Sequence, residues 1–427
     1  MQPLLFLAHR IPYPPNKGDK LRSFHLLDYL ARHYRVYLGA FVDDPDDRRH
    51  EPVIRSYCTD YLLAPLSPAH AKLRSLAGLR EGTSLSLPYY RDARMAQWVS
   101  RTVKEQRIRR VVVFSSTMAQ YVEDLDLPCK VVDFVDVDSQ KWAEYARRHR
   151  WPMSWLYGRE GKMLLDYERK VSQSSHCSLF VTQAEADLFS RLAPECASKV
   201  QVLFNGVDTD YFNPSPDLAS PFPAGQKAVV FSGAMDYWPN EDAVRWYAAH
   251  VFPKVLAAMP EARFWIVGRS PGPAVTALGR LPGIHVTGSV PDIRPYLQHA
   301  AVVVAPLRVA RGVQNKVLEA MAMARPTIIS PICAQGVQAR VPDELNVATD
   351  ALDFVIRTLD LLTSADAKDM GRRARERILA DYRWLPNLAR LKELLHVAAA
   401  EEQPAPQILG ASQAPSSARP PSIAIAA

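Results

Sequence analysis

The sequence predicts an α/β protein in which two Rossmann-like, doubly wound domains face a cleft. A length of 427 residues provides for two or three domains. Short apolar runs alternate with amphipathic segments along most of the chain, as parallel sheets covered by helices require. A proline-rich interval divides this alternation into two series. Hydrophobic residues make up 48% and charged residues 23%, which excludes a wholly disordered or fibrous chain.

The first series contains six strand-sized apolar runs separated by longer amphipathic segments. We predict strands at 3–8, 35–41, 60–64, 110–114, 130–134 and 178–181, with helices that include 21–33 and 95–106. The second series has the same form. Its predicted strands lie at 228–232, 263–267, 284–287, 301–305 and 326–330, and its helices at 241–259, 313–324, 351–363 and 365–382. Ligands of such sheets bind beyond the carboxyl ends of the strands.

Composition sets the predicted domain boundaries. The first domain spans 1–212, and a linker with four prolines spans 213–227. The second domain spans 228–382. A helix at 383–400 is expected to pack back on the first domain. The tail at 401–427 is rich in Pro, Ala, Ser and Gln, a composition typical of disorder.

Net charge and cysteine content limit the cell compartments and the binding partners that we expect for this protein. A net charge of +7 suits an anionic substrate or a membrane surface. No nucleic-acid-binding motif accompanies the charge, so no nucleic-acid partner is expected. Five scattered cysteines indicate buried thiols in a reducing compartment. The chain begins without the features of a signal peptide, so we expect a cytoplasmic protein, peripheral on the inner membrane.

The most informative segment follows the predicted strand at 301–305. Gly312 allows close backbone approach to a ligand, and a helix start offers free amides and a positive dipole end to phosphate. Lys316 adds a full charge, and Glu319 lies at i+3 on the same helix face. A carboxylate there can accept two hydrogen bonds from a ribose diol. The alternative interpretation is a plain surface Lys–Glu pair.

These residues form part of an ordered set of motifs. The set comprises Glu319-Ala320-Met321-Ala322 with Pro326, Asn205-Gly206-Val207-Asp208 with Phe212 and Pro214, Ser232-Gly233, Ile266-Val267-Gly268, and Gly288-Ser289-Val290-Pro291-Asp292. In this order the chain resembles the retaining, nucleotide-sugar-dependent glycosyltransferases of family 4, which have the GT-B fold. The segments 9–20, 133–139 and 312–316 resemble more closely the sugar transferases associated with exosortase/PEP-CTERM systems of bacterial exopolysaccharide loci.

The resemblance implies that the domain at 1–212 binds the acceptor and that the domain at 228–382 binds the nucleotide sugar. It also implies a role for each matched residue. Glu319 would bind the donor ribose, and Lys316 would hold the diphosphate. Val290 would contact the base through its backbone, and Gly18 would lie against the diphosphate or the transferred sugar. The remaining implied donor contacts are Gly233, Arg269, Gly312, Val313, Gln314 and Asn315. The only co-substrate implied is a nucleotide diphosphate sugar, with no cofactor and no bound metal.

Three departures from the family pattern affect the site. Arg311 stands where relatives usually place a carboxylate, so it could contact phosphate or an acidic sugar, or merely pair on the surface. The loop after Gly233 lacks the usual Arg and Lys. At the position of the usual His, Asp136 and Asp138 are the available acids. Asp136-Val137-Asp138 also matches a metal-binding Asp-x-Asp pattern, with helix-capping as the alternative.

A basic and aromatic stretch spans residues 142–157. Aromatic rings and cations in this mixture are typical of a lipid interface, although a solvated helix has the same composition. We therefore expect a glycosyltransferase, with Lys316, Glu319, Arg311 and Asp136 as its catalytic candidates, whose acceptor is a glycan or lipid-linked glycan. The alternatives are an epimerase or hydrolase of the same fold, or a silent glycan-binding scaffold.

Overall fold

A computed structural model describes residues 1–396 and confirms two parallel-sheet domains covered by helices. The first sheet has seven strands in the order β3-β2-β1-β4-β5-β6-β7, every neighbouring pair parallel. Its strands are β1 (Pro3–Ala8), β2 (Arg35–Val42), β3 (Asp60–Pro65), β4 (Arg110–Phe114), β5 (Cys129–Val135), β6 (Cys177–Phe180) and β7 (Val200–Val202). Strands β1 and β4 are buried almost throughout, as expected for a sheet covered on both faces.

Nine α-helices accompany this sheet within the described part of the chain. They are α1 (Gly18–His33), α2 (Glu51–Tyr57), α3 (Pro68–Ser75), α4 (Ala77–Glu81), α5 (Ser86–Tyr89), α6 (Ala93–Glu105), α7 (Asp138–Arg148), α8 (Met153–Ser174) and α9 (Gln183–Leu192). Helix α6 shows why these segments are helical: its buried residues Met95, Trp98, Val99 and Thr102 recur at helical spacing, and Asp92 caps its first turn.

The second sheet has six parallel strands in the order β10-β9-β8-β11-β12-β13. They are β8 (Lys227–Ser232), β9 (Ala262–Val267), β10 (Ile284–Gly288), β11 (Val302–Ala305), β12 (Thr327–Ile329) and β13 (Asn346–Val347). The helices are α10 (Trp238–His250), α11 (Phe252–Ala258), α12 (Pro273–Thr276), α13 (Arg294–His299), α14 (Asn315–Ala322), α15 (Pro331–Ala334), α16 (Ala351–Thr363), α17 (Ala367–Asp381) and α18 (Trp384–Leu394).

Several predicted elements differ from the structure. The short strands β7 and β13 were not predicted, because two or three residues show no periodicity. The helix predicted at 241–259 is two helices, since Pro253 in the first turn of α11 cannot donate a hydrogen bond to α10. The helix predicted at 313–324 begins only at Asn315 and ends at Ala322. Residues 312–314 thereby remain loop.

The chain crosses between the domains upstream of the predicted linker. The Val207 amide donates to the carbonyl of Tyr382 at 2.7 Å. The segment that leaves the first domain and the segment that returns to it therefore lie side by side. Tyr211 and Phe212 already belong to the core of the second domain. The segment 213–226 covers that domain instead of connecting the two, and Phe222 packs on Trp265. Prolines mark this segment as irregular, but irregular backbone is not by itself a boundary.

Helix α18 packs on the first domain. Trp384 stacks on His25 with ring centroids 4.2 Å apart, and Leu388 and Leu391 lie in the same core as strand β1. The predicted tail at 401–427 and the end of the predicted helix at 383–400 lie outside the described residues. None of the helices within residues 1–396 combines the length and apolar character needed to cross a bilayer.

Candidate active site

The loop between β11 and α14 forms one wall of the cleft. Gly312 has φ +59°, a left-handed conformation that glycine adopts without strain. The side chain of Gln314 donates to the carbonyl of Arg311 at 3.1 Å, which closes the loop before the helix. The first turn of α14, which begins at Asn315 directly after this loop, has amides without partners inside the helix, and such amides suit an anion.

Lys316 lies in the first turn of α14. Its Nζ donates to Asn240 Oδ1 and lies 4.4 Å from the centroid of the Phe231 ring. Burial lowers the pKa of Lys316 to about 8, and the nearby Glu319 opposes that shift. The ammonium is thus held in a poorly solvated position, where its attraction for a phosphate is stronger than in water.

Glu319 follows Lys316 by three residues on the same face of α14. Desolvation raises the pKa of Glu319 to about 7, and the charge of Lys316 opposes the rise. Glu319 is only partly buried, and its carboxylate forms no hydrogen bond or ion pair with the residues that the structure describes. Glu319 also borders a small cavity beside Gly206 and Trp384, at the crossing between the domains. An unpaired carboxylate in such a position is available to a ligand hydroxyl.

Two glycines bring the backbone of the second sheet close to Lys316. A Cβ built on Gly268 would lie 1.7 Å from the carbonyl oxygen of Gly233, and one built on Gly233 would lie 2.9 Å from Lys316 Nζ. Both residues have positive φ, +156° and +150°. No side chain fits between these loops, so the ends of β8 and β9 present bare backbone to the cleft.

The other predicted donor residues surround this point. Arg269, which follows β9, donates to the carbonyl of Asn16 at 3.2 Å, across the cleft and next to Gly18. Gly18 begins α1, and a Cβ there would have open space around it. Val290 is buried, two residues after Gly288 with φ +69°. The structure thus collects these residues at the carboxyl edges of the two sheets.

Arg311 reaches across the cleft to the first domain. Its guanidinium pairs with Glu144 of α7 and lies 3.5 Å from Glu185 of α9. A second interdomain contact places Arg148 of α7 over the ring of Trp238, 5.7 Å from its centroid. The residue that replaces the usual carboxylate therefore finds two protein carboxylates opposite it, and the domains approach closely along α7.

Asp136 lies behind Gly312. Its Oδ1 is buried without a hydrogen-bond partner in the described part of the chain, and a Cβ on Gly312 would lie only 2.5 Å from it. Desolvation raises the pKa of Asp136 to about 7, reinforced by the charges of Glu185 and Asp138. A side chain at position 312 would collide with Asp136, so the close approach of the two domains at this point depends on the glycine.

Glu144, Glu185 and Asn240 were not predicted as site residues. Glu185 is the fourth residue of Thr182-Gln183-Ala184-Glu185, a capping-box pattern that points to a structural role. The Thr182 hydroxyl does accept from the Glu185 amide at 3.1 Å. The Glu185 carboxylate, however, accepts from the Val137 amide at 2.8 Å and faces Arg311.

The end of β1 carries a further polar group. His9 stacks on Phe114 with ring centroids 5.6 Å apart, and its Nε2 lies 3.3 Å from Asp19. Burial opposes ionisation of Asp19, but the hydrogen bond from His9 and the charge of Arg10 hold the pKa of that carboxyl well below its usual range. Within residues 1–396, no three His, Cys, Asp or Glu side chains are grouped to hold a metal ion.

Comparison with known proteins shows which family and which solved structures this chain is similar to. Residues 226–364 match the family model described as Glycosyl transferases group 1. The second domain is therefore similar to group 1 glycosyltransferase domains. It contains every predicted donor residue except Gly18. No curated protein sequence matches the chain.

Solved structures establish the fold over 92% of the chain. Sucrose-phosphate synthase from Thermosynechococcus elongatus superposes with a TM-score of 0.68 at 16% identity, covering 92% of this chain and 98% of its own. Anabaena HepE in complex with UDP gives 0.66 at 15% identity, covering 92% and 99%. WaaG, a glycosyltransferase involved in lipopolysaccharide biosynthesis, gives 0.61 at 16%, covering 92% and 99%. The chain has the GT-B fold, and the match of residues 226–364 to the group 1 family supports a glycosyltransferase.

Proposed function

We propose that the protein is a retaining glycosyltransferase of family 4 type, which moves a sugar from a nucleotide diphosphate sugar to a glycan or lipid-linked glycan. The observation that carries the proposal is the shared face of α14, where Lys316 and the unpaired Glu319 follow the loop at Gly312. Anabaena HepE was solved with UDP and with UDP-glucose, which supports a donor of that class.

In this proposal the second domain stabilises the leaving group. The amides of residues 313–315 and the Lys316 ammonium neutralise the charge that grows on the departing diphosphate, which is electrostatic stabilisation of the transition state. Glu319 holds the ribose through two hydrogen bonds. Because the cation is already in place and poorly solvated, little solvent has to reorganise as the bond breaks. No metal is required by these residues.

We assign Arg311 and Asp136 to the side of the cleft where sugar and acceptor meet. Arg311 interacts there with Glu144 and Glu185, so it positions the first domain over the donor site. Asp136 lies behind Gly312, next to the same loop. We place the reaction in the cytoplasm, in bacterial exopolysaccharide synthesis of the exosortase/PEP-CTERM type.

A silent glycan-binding scaffold is the second candidate. It is favoured by one observation, the replacement of the usual carboxylate by an Arg311 that is already paired with protein carboxylates. Such a scaffold would bind sugar without consuming a donor.

Purified protein incubated with a panel of nucleotide sugars separates these functions. A ligand at about 100 times its Kd stabilises the protein by about 2.7 kcal/mol, so a thermal-shift screen identifies the donor base. We then expect nucleotide release and a product whose anomeric configuration, read by NMR, is that of the donor. Lys316→Ala and Glu319→Ala should reduce the shift at the same ligand concentration, whereas Lys254→Ala, which changes an exposed lysine on α11, should not. A shift without turnover with any acceptor would favour the scaffold.

A further inference from the structure

The first domain exposes large apolar side chains in two segments that are distant in sequence. Leu73 lies on α3, Leu79 on α4 and Leu76 between the two helices, with 69%, 39% and 50% of their surface exposed respectively. Trp151 and Trp155 lie at the turn between α7 and α8 and at the start of α8, exposed by 80% and 58%. Burying such side chains in a non-aqueous phase would be favourable, whereas single exposed leucines need no explanation.

The fold holds the two segments side by side. Arg159, one turn after Trp155 in α8, donates to the carbonyl of Gly78 at 2.9 Å and to that of Thr83 at 3.0 Å. The buried carboxylate of Glu160 accepts from the Leu85 amide at 2.6 Å and from the Ser84 hydroxyl. The start of α8 is therefore fixed against α4 and the loop that follows it, so the exposed leucines and tryptophans lie on neighbouring segments. We call the exposed face of these segments the α4–α8 surface.

The charge of both segments has one sign. Residues 66–80 contain three Lys or Arg and no Asp or Glu, and residues 145–159 contain four Arg and no Asp or Glu. Arg147, Arg148 and Arg150 are exposed next to Trp151. An acidic bilayer surface is complementary to this charge, and interfacial tryptophans and leucines enter at headgroup depth.

The same hairpin borders the cleft. Helix α7 leads into the turn at Trp151, and it carries both Glu144, which pairs with Arg311, and Arg148, which lies over Trp238. Trp238 itself is 44% exposed on the opposite domain. A membrane bound at the α4–α8 surface would lie next to the mouth of the cleft.

We propose that the α4–α8 surface docks on an anionic lipid bilayer and brings the mouth of the cleft to the lipid headgroups. The docking stands on exposure and charge alone. Its consequence for chemistry, that the acceptor is a lipid-linked glycan presented from the bilayer, rests on the proposed glycosyltransferase function.

Vesicle co-sedimentation of the full chain tests the docking. We expect binding to vesicles of phosphatidylglycerol and phosphatidylethanolamine and little binding to phosphatidylcholine. Trp151→Ser/Trp155→Ser should lower binding at least tenfold, and Arg147→Gln/Arg150→Gln should lower it about fivefold per cation removed. The matched control is Leu352→Ser/Ile356→Ser, which removes two exposed apolar side chains from α16 and should bind as the unaltered protein does.

Three results would overturn the proposal. They are equal binding to neutral and anionic vesicles, no loss in the tryptophan variant, and a dimer that this variant dissociates in the absence of lipid. Nucleotide-sugar binding by the same variants keeps the two proposals separate. Retained donor binding with lost vesicle binding supports docking, while absent donor binding in the unaltered protein counts against the transferase function and leaves the vesicle result standing.

Discussion

The two edges of the cleft are built by opposite means. The edge on the second domain combines glycine backbone with the poorly solvated cation of Lys316 and the carboxylate of Glu319, and Arg269 and Arg311 extend from it towards the first domain. The edge on the first domain consists of carboxylates, among them Asp136, Glu144 and Glu185, which face the cation of Arg311. The edge on the second domain is therefore suited to an anion. The carboxylates on the edge of the first domain are suited to a cation, and Arg311 supplies that cation.

The largest expected effect comes from adding a side chain to the glycine backbone at the edge of the second domain. In Gly268→Ala, the new Cβ would meet the Gly233 carbonyl at 1.7 Å in a positive-φ conformation. We expect a loss of about 3 kcal/mol or more in the free energy of unfolding, measured by urea denaturation. Gly272→Ala is the control, because nothing lies within 4 Å of its Cβ. Equal stability of the two variants would show that the loops do not need this close approach.

The next effect concerns the charges between the edges. Arg311→Glu would place a carboxylate opposite Glu144 and Glu185, and like charges at about 4 Å repel by about 4 kcal/mol before relaxation and screening. We expect a loss of about 2 kcal/mol in donor binding or stability, larger than for Arg311→Ala. The double variant Arg311→Glu/Glu144→Arg should recover part of it in the same assays. A single variant that retains full donor affinity would show that Arg311 does not hold the domains over the donor.

The pH dependence of donor affinity sharpens the contrast on the second domain. Lys316, with a pKa of about 8, loses its charge as the pH rises, and Glu319, with a pKa of about 7, loses its charge as the pH falls. Affinity for UDP-glucose should be highest between pH 7 and 8 and fall by up to about tenfold per pH unit on each side. Because a phosphodiester has no pKa near 6, unlike a terminal phosphate, the diphosphate of the ligand adds no titration to the acidic limb.

Single variants show which residue causes the fall in donor affinity at high pH, the alkaline limb, and which causes the fall at low pH, the acidic limb. Lys316→Ala should abolish the alkaline limb, and Glu319→Gln should flatten the acidic limb, both measured by calorimetry across pH 5.5–9.5. Since a bound diphosphate favours the protonated lysine, binding above pH 8 should take up a proton. A profile that stays flat in the unaltered protein would contradict the desolvated state of both groups.

The smallest expected effect concerns metal. An excess of chelator should leave transfer unchanged, because the residues at the donor edge supply cation and amides for the diphosphate and Asp136 packs against Gly312. Loss of activity on chelation, restored by manganese or magnesium, would instead assign Asp136 and Asp138 to an Asp-x-Asp metal site.

Most strands could be predicted because the buried parallel strands are continuous apolar runs. Strands β1 and β4 begin and end at the predicted residues. The crossing between domains could not be predicted from composition, since it depends on the Val207–Tyr382 hydrogen bond between segments about 175 residues apart. Helix α10 ended early for a reason visible in the sequence, the proline at 253.

The site residues, like the strands, could be predicted only where the pattern is local in the sequence. Lys316, Glu319 and Gly312 lie within eight residues of one another, so local spacing could place them together. Glu144 and Glu185 come from two helices of the other domain, and each looks structural in its own segment. Only the three-dimensional approach of α7 and α9 to Arg311 brings them to the cleft. Pairing across a cleft leaves no periodic signal in one sequence.

The division of the cleft into a donor edge and an acidic edge is tested most directly by calorimetry at pH 7.5. The ligand is the nucleotide sugar that gives the largest thermal shift, and the variants are Lys316→Ala and Asp136→Asn. We predict that Lys316→Ala weakens binding by about 1.5–3 kcal/mol, the range for a charged hydrogen bond, while Asp136→Asn stays within twofold of the unaltered protein. Unchanged affinity in Lys316→Ala together with a large loss in Asp136→Asn would contradict the assignment of the donor to the second domain.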